Sequence, residues 1–151
     1  AGRKKMPPEL SEQFPIMKEV LQAFKIGIYE MDGYEADDII GTVAKRCEDS
    51  MDVIILTGDR DALQLVGANT KVAITKKGIT DVDVYDEGAM ADRYGVTPKQ
   101  FIDIKGLMGD QSDNIPGVPG IGEKTAVKLI KEFGSIENLI KNSESVTGLK
   151  G

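Results

Sequence analysis

Apolar residues along the first half of the chain switch between helical and strand-like spacing. Residues 9–24 place apolar side chains three and four positions apart, which predicts an amphipathic helix. Residues 26–31 form a short run typical of a strand, and residues 35–47 return to the helical period. The unbroken β-forming run at 53–56 predicts a strand of a parallel sheet that is covered on both faces.

The second half continues with shorter elements and then becomes helical. Turn-forming residues at 76–78 predict a hairpin between strands at 71–75 and 80–85. Helices are predicted at 61–66, 86–94, 97–108, 122–133 and 135–141. This order indicates the α/β class, with a mostly parallel central sheet flanked by helices and a helical extension at the carboxyl end.

Composition narrows the possible function classes. The 151 residues suffice for one domain, or for one domain with a small appendage. No apolar run approaches the ~20 residues of a membrane span, so no membrane role is expected. Cys47 is the only cysteine and histidine is absent, which excludes disulfides within the chain, zinc sites of Cys/His type and a histidine general base. The net charge of −6 argues against a nucleic-acid partner only if the charge is spread evenly over the surface.

Seven acidic residues follow predicted strands or lie in a polar loop, namely Glu35, Asp37, Asp38, Asp59, Asp61, Asp110 and Asp113. Ligands of α/β sheets gather at the carboxyl ends of the strands, so these carboxylates are expected at one edge. Like charges brought together need cations, and Mg²⁺ and Mn²⁺ prefer carboxylate oxygen and water. Two such ions can activate a water and stabilise the leaving oxygen of a phosphodiester. The pattern therefore predicts a metal centre.

Each acidic group has a simpler interpretation when it is taken alone. Asp37 and Asp38 suit the solvated first turn of a helix, and Asp59 suits an N-cap with Asp61 as its neighbour. A calcium loop of EF-hand type is disfavoured, because the spaced Asp or Asn ligands and the terminal Glu of that loop are absent. Only the coincidence of three acidic groups after predicted sheet edges favours an active site.

A turn rich in glycine and proline, GVPGIG at 117–122, lies directly before a predicted helix. Glycine permits positive φ and close approach of the backbone, so N–H groups at this helix start can converge on a phosphate. A surface loop that caps the helix is the alternative interpretation. Metal ligands beside a phosphate-binding turn favour phosphodiester chemistry.

Three long motifs in this order resemble the 5′ nuclease (flap endonuclease) family: GYEADDIIG at 33–41, TGDRDALQL at 57–65 and GLMGDQSDNIPGVPGIGEKTA at 106–126. The likeness covers essentially the whole chain and is strongest to the 5′ to 3′ exonuclease domains at the front of bacterial DNA polymerases I. It implies a PIN-like nuclease core at 1–108 and a helix-three-turn-helix DNA-binding subdomain at 109–151. The implied activity is removal of RNA primers and displaced 5′ flaps from nicked or flapped duplex DNA, in the bacterial cytoplasm.

The resemblance also implies roles for single residues. Metal ligands are expected in two groups, Glu35, Asp37 and Asp38 for a first Mg²⁺ or Mn²⁺ ion, and Asp59, Asp61 and Asp113, with Asp110 close by, for a second. Arg3 resembles an arginine that contacts the reacting phosphate and joins Asp59 and Asp61 as a catalytic candidate. The glycine turn of the family holds a monovalent cation such as K⁺ and duplex phosphates. The matching DNA-binding residues are Gly117, Val118, Gly120, Ile121, Gly122, Lys124, Thr125 and Lys128.

Family members also carry segments that this sequence does not show. Two further aspartates of the first metal site and a helical arch precede the matched region in the family, and further helices follow it. An incomplete first metal site, impaired cleavage and missing central strands are therefore expected, with a polymerase domain downstream in the full-length protein. Two rivals are retained: a non-catalytic duplex-DNA-binding module, and a ribonuclease of related α/β, acid-cluster type.

Overall fold

The computed structural model describes residues 6–76, 80–111 and 113–146. The first half contains α1 (Pro8–Ser11), α2 (Gln13–Ala23), α3 (Ala36–Cys47), β1 (Val53–Thr57), a 3₁₀ helix (Arg60–Leu65), β2 (Thr70–Thr75) and β3 (Val82–Tyr85). The second half contains α4 (Glu87–Tyr94), α5 (Pro98–Met108), β4 (Gly109–Asp110), β5 (Ile115–Pro116), α6 (Glu123–Phe133), α7 (Ile136–Lys141) and a 3₁₀ turn (Ser143–Ser145). The α/β class is confirmed.

The main sheet has the strand order β1-β2-β3. β1 runs parallel to β2, with Ile55 opposite Val72, and β3 runs antiparallel to β2, with Tyr85 also opposite Val72. These three side chains are buried on one face of the sheet, where they join the core that contains Leu63 and Ile104. The predicted parallel crossover and the predicted hairpin pairing are therefore confirmed, although most of the hairpin turn, 77–79, lies outside the described residues.

The other face of this sheet is open, so the expectation that β1 is covered on both faces is wrong. Ile54 and Leu56 are 70% and 66% exposed, whereas Ile55 between them is 6% exposed. Val84 of β3 is also exposed on this face, opposite Ala73. An apolar run shows that a strand is hydrophobic, but burial of both its faces requires a second layer of structure against the sheet. In the described part of the chain no such layer buries these side chains.

The strand expected at 26–31 is a second correction, because these residues take no part in either described sheet. Ile26, Tyr29 and Met31 are all more than half exposed. A strand is stabilised by backbone hydrogen bonds to a neighbour and by packing of its side chains. The Ile26 amide donates to the Leu21 carbonyl of α2 at 2.9 Å, and no described strand pairs with the segment, so its β-forming composition does not produce a strand.

The amphipathic helix expected at 9–24 is present but divided into α1 and α2. Pro15 has no N–H to donate to the carbonyl four residues earlier, which explains a weak point in the first turns. Neither helix buries a residue, and the apolar side chains of Phe14 and Met17 stay exposed. The helical spacing therefore predicted the helix correctly. The apolar face of an amphipathic helix is normally buried, but the apolar side chains of α1 and α2 are not.

The carboxyl half is well specified by local signals. Thr97 caps α5 by accepting a hydrogen bond from the Gln100 amide at 3.2 Å, and Gln100 Oε1 accepts one from the Thr97 amide at 3.0 Å. The Gln100 side chain also donates to the Gly134 carbonyl at 3.1 Å, which joins α5 to the turn between α6 and α7. Ile104 and Ile130 are fully buried where α5 and α6 pack. Over the described ranges, no helix has the length and apolar character of a membrane span.

Candidate functional site

The first acidic group lies at the start of α3, where the sequence placed it. The backbone amide of Glu35 donates to Asp38 Oδ2 at 3.0 Å, so the Asp38 carboxylate helps to cap the helix. Asp37 lies in the same first turn, where the helix dipole tolerates negative charge. The simpler interpretation of Asp38, a carboxylate at a helix start, is therefore realised in the structure.

The second acidic group follows β1. Asp59 Oδ1 accepts a hydrogen bond from the Asp61 amide at 2.9 Å and caps the 3₁₀ helix, while the Asp59 amide donates to Thr57 Oγ1 at 3.0 Å. These bonds hold the loop at the carboxyl end of β1 in a defined shape. The Asp61 side chain projects from this loop toward α5, as its contact with that helix shows.

Lys105, near the end of α5, joins the second acidic group to the third. Its Nζ lies 2.8 Å from Asp61 Oδ1 and 2.9 Å from Asp110 Oδ2. All three side chains are partly buried, with exposed fractions of 26% for Lys105, 31% for Asp61 and 18% for Asp110. Burial lowers the pKa of the Lys105 ammonium, but the hydrogen bonds to Asp61 and Asp110 outweigh it and raise the pKa above its ordinary value. The cation therefore stays charged.

Sequence reasoning missed Lys105. Its signal was weak: a lysine among the apolar positions of α5, five residues before Asp110, resembles any exposed helix charge. The contact with Asp61 depends on how α5 packs against the 3₁₀ helix, which no local pattern records.

The third acidic group surrounds the start of the polar loop after α5. The Asp113 amide donates to Asp110 Oδ1 at 3.3 Å, and Asp110 pairs with Ile115 across the short ladder of β4 and β5. Asp110 thus contacts both its own loop and Lys105. The structure therefore brings Asp61 and Asp110 to the same lysine ammonium, that of Lys105. These two of the seven acidic residues lie close together, as expected for a shared acidic edge.

The acidic groups interact electrostatically. The pKa of Asp37 is raised above its ordinary value, first by burial and then by the negative charges of Asp59, Glu35, Asp61 and Asp38. Such coupling requires these carboxylates to lie in one region of the molecule. A cavity of about 560 Å³ opens there between α3 and the 3₁₀ helix. Its charged lining residues are Asp37, Asp38, Asp61, Lys45 and Arg46.

The expected meeting of all seven carboxylates is only partly realised. Among the described residues, no three acidic side chains lie close enough together to hold one ion. The Lys105 ammonium lies between Asp61 and Asp110 and pairs with both carboxylates. The carboxylates around Asp37 still suit a hard divalent cation, which prefers oxygen ligands. Their negative charges repel one another, and a bound cation reduces that repulsion. Arg3 lies outside the described residues.

The glycine-rich turn is held against the end of α5. The Val118 amide donates to the Leu107 carbonyl at 2.7 Å, and the Ile121 amide donates to the Val118 carbonyl at 3.0 Å. Gly120 has a φ of +81°, a conformation that favours glycine. Gly122 is the N-cap of α6 and has no side chain to occupy the free amides of the first turn. Lys124 and Lys128 are exposed one turn apart on this helix.

Fold and site together define an α/β protein of the resolvase-like class with an acidic site and an appended helical domain. Residues 1–95 match the family model described as the N-terminal resolvase-like domain of 5′-3′ exonucleases, and residues 96–150 match the model of their C-terminal SAM fold. The chain belongs to the 5′-3′ exonuclease family.

Curated relatives of high identity are bacterial DNA polymerases I. The chain is 57% identical over 150 residues to DNA polymerase I of Bacillus subtilis and 55% identical to that of Bacillus caldotenax, in both cases over 99% of this chain. It spans about 17% of the length of these relatives.

Solved structures agree on the fold. T5 5′-exonuclease with bound zinc ions matches with a TM-score of 0.76 and 28% identity, over 98% of this chain and 55% of that one. The catalytic core of Rad2 in complex with a DNA substrate matches with a TM-score of 0.65 and 21% identity, over 95% of this chain and 46% of that one. The similarity to Rad2 shows only that the fold is shared.

Proposed function

We propose that this chain is part of a metal-dependent 5′ nuclease, a 5′ to 3′ exonuclease and structure-specific 5′-flap endonuclease that acts on DNA. The observation that carries the proposal is the convergence of Asp61, from the 3₁₀ helix, and Asp110, from β4, on the ammonium of Lys105. Family membership supports it, as do two structures of 28% identity, the T5 5′-exonuclease with divalent metal ions and the T5 D15 flap endonuclease complex with DNA and metal ions.

The metal ligands are proposed from the acidic groups already described. Asp59, Asp61 and Asp113 are assigned to one ion with Asp110 close by, and Glu35, Asp37 and Asp38 to another. Mg²⁺ or Mn²⁺ at such a site supplies an activated water and stabilises the leaving oxygen of a phosphodiester. The capping bonds of Asp38 and Asp59 keep their loops in place. A contact of Arg3 with the reacting phosphate stays a prediction, and so does an incomplete first metal site.

Duplex DNA is proposed to bind at the glycine turn and the first turn of α6. Free backbone amides, the helix dipole and two exposed lysines offer an anion site of the kind that phosphates occupy. A K⁺ ion at the turn belongs to the same proposal. The residues assigned to DNA are Gly117, Val118, Gly120, Ile121, Gly122, Lys124, Thr125 and Lys128.

The biological setting is inferred from the relatives. Because they are bacterial DNA polymerases I, we infer a polymerase domain downstream in the complete protein, nicked, flapped or RNA-primed duplexes as substrates, and action in the bacterial cytoplasm at the nucleoid. A division into a nuclease core at 1–108 and a DNA-binding subdomain at 109–151 is part of this proposal.

Asp59→Asn tests the enzymatic role. Asparagine caps a helix about as well as aspartate, so the substitution removes a charge and should leave the loop folded. We expect Mn²⁺-dependent cleavage of an end-labelled 5′-flap duplex to fall at least about a hundredfold, as for loss of a residue that acts in the transition state. Duplex affinity, measured by fluorescence anisotropy, should be retained or raised.

Asp92→Asn is the matched control, because Asp92 is an exposed carboxylate of α4 outside the acidic site. It should cleave like the parent chain. Cleavage that survives Asp59→Asn would overturn the metal assignment. Duplex binding without cleavage by the parent would reflect the incomplete first metal site if Mn²⁺ still binds, as measured by isothermal titration calorimetry. Without Mn²⁺ binding, it would favour the non-catalytic DNA-binding module, an alternative suggested by the structural hydrogen bonds of Asp38 and Asp59.

A further inference from the structure

Lys105 occupies the position between two carboxylates that a divalent cation commonly takes. Its ammonium lies 2.8 Å from Asp61 of the 3₁₀ helix and 2.9 Å from Asp110 of β4. The three partly buried groups thus form a compact carboxylate–ammonium–carboxylate bridge.

A divalent cation cannot share this position with the ammonium. Both are cations that draw on the same carboxylate oxygens, and a hard metal ion binds such oxygens at about 2.0–2.6 Å. Placing a second positive charge beside the ammonium is unfavourable in a partly buried site. Metal binding by Asp61 or Asp110 therefore requires that Lys105 leave.

We propose that Lys105 is a positioning residue that holds Asp61 and Asp110 together in the metal-free protein and is displaced when a divalent cation binds between them. This inference rests on the proposed metal role of the two carboxylates. The bridge limits their mutual repulsion before the ion arrives, and it keeps the loop after β1 in contact with the end of α5. The same bridge competes with the ion, so the metal affinity of the site is set partly by Lys105.

Lys105→Gln separates competition from simple support. Glutamine keeps much of the side-chain length and its hydrogen-bonding capacity but carries no charge. The metal ion must break both ion pairs of Lys105 in the parent chain but not in this variant. Each pair is worth little because it is partly exposed, so we expect Mn²⁺ to bind about three- to tenfold more tightly after the substitution. Lys105→Arg should bind Mn²⁺ no more tightly than the parent chain, since a guanidinium can pair with both carboxylates. Affinity is measured by isothermal titration calorimetry, with thermal unfolding as a check that each variant is folded.

Lys45→Gln is the matched control for long-range electrostatics. Lys45 lines the same cavity as Asp61, but it is paired with Glu48 and with neither bridge carboxylate. Removal of this charge should change Mn²⁺ affinity less than twofold. An equal gain in Lys45→Gln and Lys105→Gln, or an unchanged or weaker affinity in Lys105→Gln, would overturn the displacement.

A direct readout comes from NMR of the chain labelled with ¹³C-lysine. The ¹³Cε signal of Lys105, assigned by its loss in Lys105→Gln, should move toward the position of exposed lysines when Mg²⁺ is added, while the signal of Lys71 stays in place. If Mg²⁺ binds and the Lys105 signal does not move, displacement is wrong and the metal role of the acidic site survives. If neither Mg²⁺ nor Mn²⁺ binds to the parent chain or to Lys105→Gln, the metal role itself is wrong, and displacement fails with it.

Discussion

Gly109 and Gly117 cross so closely that neither residue has room for a side chain. A Cβ atom on Gly109 would lie 2.3 Å from the Gly117 backbone nitrogen, and one on Gly117 would lie 2.3 Å from the carbonyl carbon of Met108. This crossing connects the end of α5 to the glycine turn, next to Asp110. It therefore links the proposed metal centre mechanically to the proposed DNA-binding turn.

Gly109→Ala is expected to destabilise the fold. The new methyl group meets backbone atoms, for which overpacking costs about 1–3 kcal/mol, and the φ of +71° is unfavourable for alanine. We expect the free energy of unfolding to fall by about 2–4 kcal/mol in urea titrations. Gly88→Ala in α4 is the control, because a Cβ there meets only ordinary contacts and alanine suits a helix, so stability should stay equal or rise.

A pair of neighbouring substitutions tests the open face of the sheet. Ile55→Ala removes a buried side chain and should lower the free energy of unfolding by about 2–4 kcal/mol. Ile54→Ala removes an exposed side chain in the same strand and should change it by no more than about 0.5 kcal/mol. Equal costs in urea unfolding would mean that Ile54 is covered in solution.

Asp37 is expected to make stability depend on pH. Because its pKa is raised in the folded state, mainly by burial and by the charge of Asp59, the fold binds its proton more tightly than the unfolded chain does. The stabilising contribution is present when Asp37 is protonated and is lost as the pH rises through the folded pKa. Asp37→Asn should therefore gain stability relative to the parent between acidic and neutral pH, by about 0.5 kcal/mol after allowance for solvent screening.

The pH comparison uses urea unfolding of both chains at several pH values without divalent cations. A difference that stays constant with pH would mean that neither burial nor the neighbouring carboxylates raise the pKa of Asp37 in the folded state. Added Mg²⁺ should raise the stability of the parent chain more than that of Asp37→Asn, because ligand binding to the folded state stabilises it.

Lys128→Gln tests the proposed phosphate contacts of α6. Loss of one phosphate contact should weaken duplex binding regardless of sequence and reduce the slope of log K against log salt by about 1. Fluorescence anisotropy at several salt concentrations measures both quantities. Lys71→Gln serves as the control, since Lys71 of β2 lies outside α6 and pairs with Asp86, the N-cap of α4. The assignment of α6 fails if the two variants show the same slope.

Much of the architecture follows from the sequence alone. Helical and strand periods predicted α3, α5, α6 and the strands β1 to β3 close to their observed bounds, because caps such as Thr97 and turn residues such as Gly134 act locally. The three long motifs at 33–41, 57–65 and 106–126 identified the family, which the comparisons confirm. They also identified Asp61, which follows β1, and Asp110, in the polar loop after α5, as candidates for one site.

Tertiary structure decided the rest. Whether residues 26–31 become a strand, or whether Ile54 is buried, depends on neighbours that periodicity does not describe. The bridge between Lys105, Asp61 and Asp110 depends on the packing of α5 against the 3₁₀ helix. Sequence determines which residues can carry charge and where the chain turns, because those are local properties. Only packing determines which charge meets which, because contacts between distant segments arise when the buried faces come together.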